Sequence, residues 1–443
     1  MKMKKILALA LSGLLAASVL AACTPAATPS APPASTPASA PASTGGAEIS
    51  GKLTFSVWDL DATGYLQKLV DAFKVEYPEV EVEIIDTPSA DYTNKLGVDL
   101  NGGAAADVIL IKDSDTSYSL AQKGQLEDLT PYVEAEGIDL GMFNGLASNF
   151  NFDGKQVGMP FRTDYYVLYY NKDIFDAAGV DYPTNDMTWA EFEEVAKKIT
   201  TGTGNDKVYG AHFHTWQALV ENWGVQDGKN TIMGPDYEFM RAPYEMVLRM
   251  QNEDKTIQDF GTLKAGNIHY SGAFQSGNVG MMPMGTWYAA THMQKVDAGE
   301  TDVTNWGIAT IPHAEGTPAG WTVGSVTPIA INAASQNKDA AWAFVNFATT
   351  SAAGTAVVAD AGQIPGSVND ELRAIITNLE GMPEGAAEAY AVENITLDRP
   401  YVEYVNEVNK MLEEEHGLIM IGELDMDGFI EKITQRSAEI QAG

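Results

Sequence analysis

The sequence predicts an α/β fold in two lobes, each a sheet flanked by helices, and three observations carry that expectation. Strand and helix patterns alternate between residues 53 and 111. A second stretch of the same kind begins near residue 167. The body of the chain, Ile49 to Gly443, exceeds the ~250–300 residues at which a single hydrophobic core stops growing.

The chain opens with Lys2, Lys4 and Lys5, followed from Ile6 to Ala22 by an uncharged run rich in Ala and Leu. This is the layout of an export signal, so residues 1–22 are expected to be removed. The run closes on Leu20-Ala21-Ala22-Cys23, which resembles the lipobox of bacterial lipoproteins. The resemblance implies cleavage before Cys23 and a diacylglyceryl group on its thiol, with small residues before the cut to admit the peptidase. An uncleaved anchor helix is the weaker account, because the run falls short of the ~20 apolar residues that span a bilayer. Cys23 is the only cysteine, so no disulfide forms within the chain. From Thr24 to Gly46 there is only Ala, Pro, Ser, Thr and Gly. With no large apolar side chain this stretch cannot bury a core, and residues 23–50 read as a tether. The expected location is the extracellular face of the bacterial cytoplasmic membrane, reached through the lipid alone.

The body begins with Leu53, Phe55 and Val57 alternating with polar residues, which is a strand. Tyr65, Leu66, Leu69, Val70, Phe73 and Tyr77 then recur at helical spacing, and Pro78 stops them. Val80, Val82 and Ile84 alternate with glutamates as a second strand. A helix around Tyr92 to Leu100 leads to Ala106-Asp107-Val108-Ile109-Leu110-Ile111, an apolar run suited to a strand buried on both faces. This order predicts a parallel sheet covered by helices. In the second region Val167 to Tyr170 is strand-like, and Thr188-Trp189-Ala190-Glu191 is a capping box at a helix start. Val208 to Phe213 reads as a strand. Tyr244 to Met250, Ala340 to Phe347 and Phe429 to Ile440 read as helices.

The formal charge is −33, or −36 once the three lysines of the signal are gone. That excludes a nucleic-acid partner, for want of any basic patch. There is no G-x-S-x-G, H-E-x-x-H, phosphate loop or free thiol, so the chain is not expected to be an enzyme. A glycosidase, which needs only a carboxylate pair, is the enzymatic alternative that composition leaves open.

Taken together, these segments resemble the extracellular solute-binding proteins of family 1, the group that includes maltose-binding protein. The likeness rests on Ala72-Phe73 with Tyr77-Pro78-Glu79-Val80, and on Gly102-Gly103-Ala104-Ala105-Ala106-Asp107-Val108, where Ala106 replaces the usual proline. It continues through Gly158-Met159-Pro160, Leu168 to Phe175, Ala178-Gly179-Val180, Thr188 to Phe192, and Phe274 with Gly277, Met281-Met282 and Gly285-Thr286-Trp287, and ends with Ala341-Trp342-Ala343-Phe344-Val345 and Gly362 to Pro365. Each piece alone is weak; their order over some 300 residues is specific. The resemblance implies a two-lobed periplasmic-binding-protein-like fold of type II. One lobe would be 51–161 with 313–361, the other 162–312 with 362–443. Crossings are expected near Pro160–Asp164, Thr310–His313 and Ala361–Pro365. It further implies a monomeric receptor that closes on a solute, a mono- or oligosaccharide, and delivers it to an ABC permease without cofactor or metal. The same fold holding a polyamine or another small solute, such as a polyol phosphate or a metal chelate, is the alternative.

A sugar offers C–H patches to aromatic rings and a rim of hydroxyls to charged groups. Trp58, at the carboxyl edge of the first strand, either stacks on a ligand or fills the rim of the core. Asp61 either accepts hydroxyls or caps a helix. Asp113 and Asp115 follow the buried strand at the same edge, without the glycine and distant glutamate of a calcium loop. Asp164 aligns with a ligand carboxylate of the maltose-binding branch, and Arg162 either contacts ligand or pairs with it. Trp287 matches the family's G-x-W tryptophan, Trp321 a recurrent cleft segment, and Trp216 and Tyr401 complete the candidates. Trp189 and Trp342 lie on apolar helix faces and read as core. His212 and His214 share one strand face and read as packing, without companions for a metal.

Overall fold

A computed structural model describes residues 49–443, apart from Thr63, residues 113–115 and Glu393. The expected signal, Cys23 and its tether as far as residue 48, Asp113 and Asp115 therefore lie outside the described residues.

Strand β1 (Gly51–Trp58) buries Leu53, Phe55 and Val57 completely, as their alternation requires. It pairs in parallel with β2 (Val80–Thr87) and β3 (Val108–Leu110). The helix Tyr65–Glu76 lays Leu66, Leu69, Val70 and Phe73 on this sheet and ends two residues before Pro78, whose ring cannot continue a helix. The helix Ser89–Gly102 buries Tyr92 and Leu96 and stops at Gly103, whose φ of 69° suits a residue without Cβ.

A small hairpin, β4 (Asn151–Phe152) with β5 (Lys155–Gln156), precedes the long strand β6 (Met159–Asn171). Strand β7 (Tyr209–Ala211) pairs in parallel with β8 (Val279–Gly285), and β8 and β9 (Trp306–Thr310) each run antiparallel to β6. Strand β10 (Trp321–Ile331) runs antiparallel to both β3 and β6. Two short strands complete the set: β11 (Ile364–Pro365) on β6 and β12 (Asn394–Leu397) on β10. The main sheet thus has the order β2-β1-β3-β10-β6-β8-β7. The parallel pairing expected from the strand-helix alternation holds for β1 to β3 and for β7 with β8. The sheet as a whole is mixed, because β6 carries the chain out of the first core and β10 brings it back in the opposite direction, so the two pair antiparallel.

The buried side chains form two large cores. One gathers Phe55, Phe73, Val108, Phe344 and their neighbours; the other gathers Phe192, Val247, Met282 and Phe429 with theirs. Strand β6 belongs to both, through Met159 and Phe161 in the first and Tyr165 to Tyr170 in the second. Strand β10 does the same, with Val323 in the second and Ile329 and Ile331 in the first. The capping box forms both its bonds, Glu191 N–H to the Thr188 hydroxyl and Thr188 N–H to the Glu191 carboxylate. Trp189 and Trp342 are core residues. Among the described residues no helix is long and apolar enough to cross a membrane.

Candidate functional site

Where β6 passes from one core to the other, its side chains become charged. Arg162 Nε lies 2.9 Å from Asp164 Oδ2. The Arg162 Nη1 group also donates to Gln363 Oε1 at 3.1 Å, and reaches the Tyr65 hydroxyl at 3.5 Å. The Thr286 hydroxyl donates to Asp164 Oδ1 at 3.2 Å. Asp164 is buried, so desolvation raises its pKa, against the pull of Arg162 and Thr286. Both of its oxygens are engaged within the protein. Of the two readings open for Arg162, pairing with Asp164 is the arrangement in this structure.

Thr286 leads directly to Trp287, the first residue of the helix Trp287–Asp297. The indole lies across the end of β8: a Cβ on Gly285 would come 1.9 Å from the ring. Only glycine leaves room for it there. Trp287 Nε1 donates to the Tyr270 hydroxyl at 3.2 Å, and its ring meets Tyr166 edge-on at 5.7 Å. Burial raises the pKa of Tyr270; the Trp287 N–H opposes this, and the charges of Asp164 and Asp59 add to it. Asp59 follows β1 of the first core, at a positive φ of 47°. The charges after β1 and in the middle of β6 therefore both act on one phenol.

Tyr270 also meets Trp216, with ring centroids 5.4 Å apart. Trp216 is 38% exposed, unusual for an indole, and stands on the wall of a cavity of about 700 Å³. Thr93 and Lys112 line this cavity from the segments around β3, Ser325 from β10, and Arg399 and Tyr401 from the loop after β12. Ser325 is the direct partner of Asp164 across β10 and β6. Tyr401 stacks on Phe150 at 5.2 Å. Arg399 is held by Asn409, by the main-chain oxygen of Asp398 at 2.7 Å, and by Glu221, whose Oε2 lies 3.4 Å from Nη2. The loop ends at Tyr404, a bulky residue at φ 63°, where backbone strain is real and marks a site under constraint.

The structure thus brings Arg162, Asp164 and Trp287 together on one side of Tyr270 and places Trp216 and Tyr401 on the cavity wall. Trp58 packs at a tilt on Tyr92, centroids 5.2 Å apart, and is half-buried. Asp61 is exposed in the single turn Leu60–Ala62. Trp321 begins β10, half-buried, and its main-chain oxygen accepts from Gln226 at 2.9 Å. Sequence reasoning missed Tyr270 and Arg399. Tyr270 sits among Gly, Asn and His without a pattern, and the only signal for Arg399 was a charged pair, Asp398-Arg399, closing a strand. His212 and His214 are buried, and burial lowers them to about 4 and about 3, so both are neutral at ordinary pH.

The sequence profile of the bacterial extracellular solute-binding proteins matches residues 59–355. A lactose-binding protein of Rhizobium radiobacter is 24% identical over 322 residues, which cover 68% of this chain and 71% of that protein. The crystal structure of a sugar transporter from Rhizobium etli, in an open conformation, superposes with a TM-score of 0.78 at 38% identity. That match covers 88% of this chain and 99% of the other. An ABC substrate-binding protein of Listeria monocytogenes, solved in complex with cycloalternan, shares the fold with a TM-score of 0.75 at 23% identity, over 88% of this chain and 98% of that one. The two-lobed α/β architecture expected from the sequence is the architecture these proteins have. On the match over most of its length and the likeness to the Rhizobium etli protein, this chain belongs to the family of bacterial extracellular solute-binding proteins.

Proposed function

We propose that this chain is the substrate receptor of an ABC importer, taking a sugar between two lobes and passing it to the permease. The observation that carries this reading is the cavity of about 700 Å³, lined from the segments of both cores and by Trp216, Tyr401 and Arg399. Rings beside charged hydrogen-bonding groups are what a polyhydroxylated ring needs. The names of the relatives, a lactose-binding protein and a sugar transporter, support the same class. Trp287 and Tyr270 extend the aromatic surface towards Asp164, and we include them in the site with Trp216, Arg399 and Tyr401.

In this reading the chain passes between lobes along β6 and β10, with a third contact at β11. The return crossing then falls between Val323 and Ile329, later than the Thr310–His313 suggested by the family pattern, because Ile308 and Ile311 pack in the second core. Lobe closure would trap the solute, and the closed form would engage the permease. Cys23, lipidated after cleavage, would hold the receptor at the membrane as a monomer.

The convergence of Asp59 and Asp164 on Tyr270 favours one second reading, a polyamine held by rings and carboxylates. Thermal-shift measurements on the mature protein with lactose, maltotriose, D-mannitol and spermidine separate the two, because a ligand selective for the folded state raises its melting temperature. A rise with a sugar, lost in Trp216→Ala, supports the proposal. A rise with spermidine alone replaces it. Consumption of any of these compounds would make the protein an enzyme and end both readings.

A further inference from the structure

Behind the cavity wall runs a chain of buried polar groups that a solute cannot reach. Arg399 stands on the wall. Glu221, in the helix Ala218–Val225, has no exposed surface and meets Arg399 from behind. The hydroxyl of Tyr244, in the helix Arg241–Asn252, lies 3.4 Å from Glu221 Oε1 and 2.9 Å from His416 Nδ1. His416, in the helix Val405–Met420, is buried, and its Nε2 has no hydrogen-bond partner.

A phenol has one hydrogen to give. If Tyr244 gives it to His416 Nδ1, its oxygen is left to accept from Glu221, which must then be a protonated carboxyl. If His416 carries its proton on Nδ1, Tyr244 donates to a Glu221 carboxylate instead. The chain therefore has two self-consistent states, and they differ by one proton on the group that faces Arg399.

We infer, on the reading of the cavity as the solute site, that Glu221 is a positioning residue: as a carboxylate it joins Asn409, Asn222 and the Asp398 main-chain oxygen in holding the Arg399 guanidinium at the wall, and when protonated it withdraws its charge and loosens that hold. Solute capture then weakens as the medium acidifies. The titratable and charged groups around Glu221 are Arg399 from the loop after β12, Tyr244, His416, and Tyr237 from the turn before the helix Arg241–Asn252, with Asp398 beside Arg399. Burial pushes Glu221 up to about 7 against the opposing charge of Arg399, which places the change near neutrality. His416 is lowered to about 3 by burial and stays neutral throughout.

The test has two arms. In the ligand-free mature protein, the Arg399 Nε–H resonance, assigned by its loss in Arg399→Gln, is followed by NMR from about pH 5.5 to about pH 8.5. It should move with a midpoint near neutrality in the wild type and stay still in Glu221→Gln. In the second arm, calorimetry measures the affinity for whichever of lactose, maltotriose and D-mannitol raises the melting temperature. Wild-type affinity should be about tenfold weaker at the acid end, the size of one charge-assisted hydrogen bond. Glu221→Gln should stay at the weak level at every pH. A still Arg399 signal in the wild type, or wild-type affinity and pH profile in Glu221→Gln, overturns the inference. If none of the three compounds binds, it is the proposed function that falls, and the resonance alone decides the role of Glu221.

Discussion

The indole N–H of Trp287 and the hydroxyl of Tyr270, 3.2 Å apart, join the charged stretch of β6 to the cavity wall. On one side Trp287 follows Thr286, which donates to Asp164; on the other Tyr270 touches Trp216. The two tryptophans are thus held in one frame by a residue between them.

Replacing Trp287 should separate its packing from its hydrogen bond. Trp287→Phe keeps a ring but loses the N–H, and affinity for the sugar should fall by about fivefold, near 1 kcal/mol. Trp287→Ala removes the ring as well and should cost a further 2 kcal/mol or so. Calorimetric titration measures both, and equal losses in the two variants would show that the ring itself contributes nothing.

Gly285 should tolerate no side chain. In Gly285→Ala the new Cβ would fall 1.9 Å from the Trp287 ring, which must swing away. Urea denaturation should show a loss of about 1–3 kcal/mol, the usual cost of overpacking. The near-ultraviolet circular dichroism should change as the indole moves. An unchanged spectrum would mean that the ring does not rest against Gly285.

The Arg162–Asp164 pair should be costly to break and cheap to remove. Arg162→Met leaves a buried carboxylate without its cation and should destabilise the fold by about 3–5 kcal/mol. Arg162→Met combined with Asp164→Leu removes both charges and should recover most of that loss. Denaturant midpoints of the single and double variants decide it, and a double variant worse than Arg162→Met would refute the pairing.

Stability should also depend on pH through Glu221. Its carboxyl is raised from the ordinary 4.5 to about 7, so between these values the folded protein holds a proton that the unfolded chain has released. The stabilisation is full below 4.5 and is lost as pH rises through 7, about 3 kcal/mol in all. Glu221→Gln lacks the titration, so its unfolding free energy should fall less steeply over that range. Denaturant curves at a series of pH values, compared between the two proteins, measure the difference. Parallel profiles would mean that Glu221 titrates normally.

Much of the fold could be read from side-chain spacing. Trp189 and Trp342 lie at helical intervals among other apolar residues, and both are core. The extent of β6 could not be read this way, because Arg162 and Asp164 interrupt the apolar pattern at the point where the strand leaves one core and has not yet joined the other. Only Val167 to Tyr170, inside the second core, looked like a strand. The site was legible where residue type alone is informative, as for Trp216 and Trp287. It was hidden where distance along the chain conceals contact. Tyr270 gains its place from Trp216 and Trp287, and Glu221 looks like any surface glutamate of a helix until Arg399 arrives from 178 positions away.

Strand β10 has a consequence for how the protein is made. Its Ile329 lies opposite Leu110 of β3, so the first core stays open at one edge until the ribosome has passed residue 331. The helix Lys338–Thr350, which supplies Phe344 to that core, comes later still. A nascent chain that carries every strand from β1 to β9 has β1 on one side of β3 but nothing to lay on the other, and closing so long a loop is slow. Fragments ending before β10 should therefore stay open and protease-sensitive.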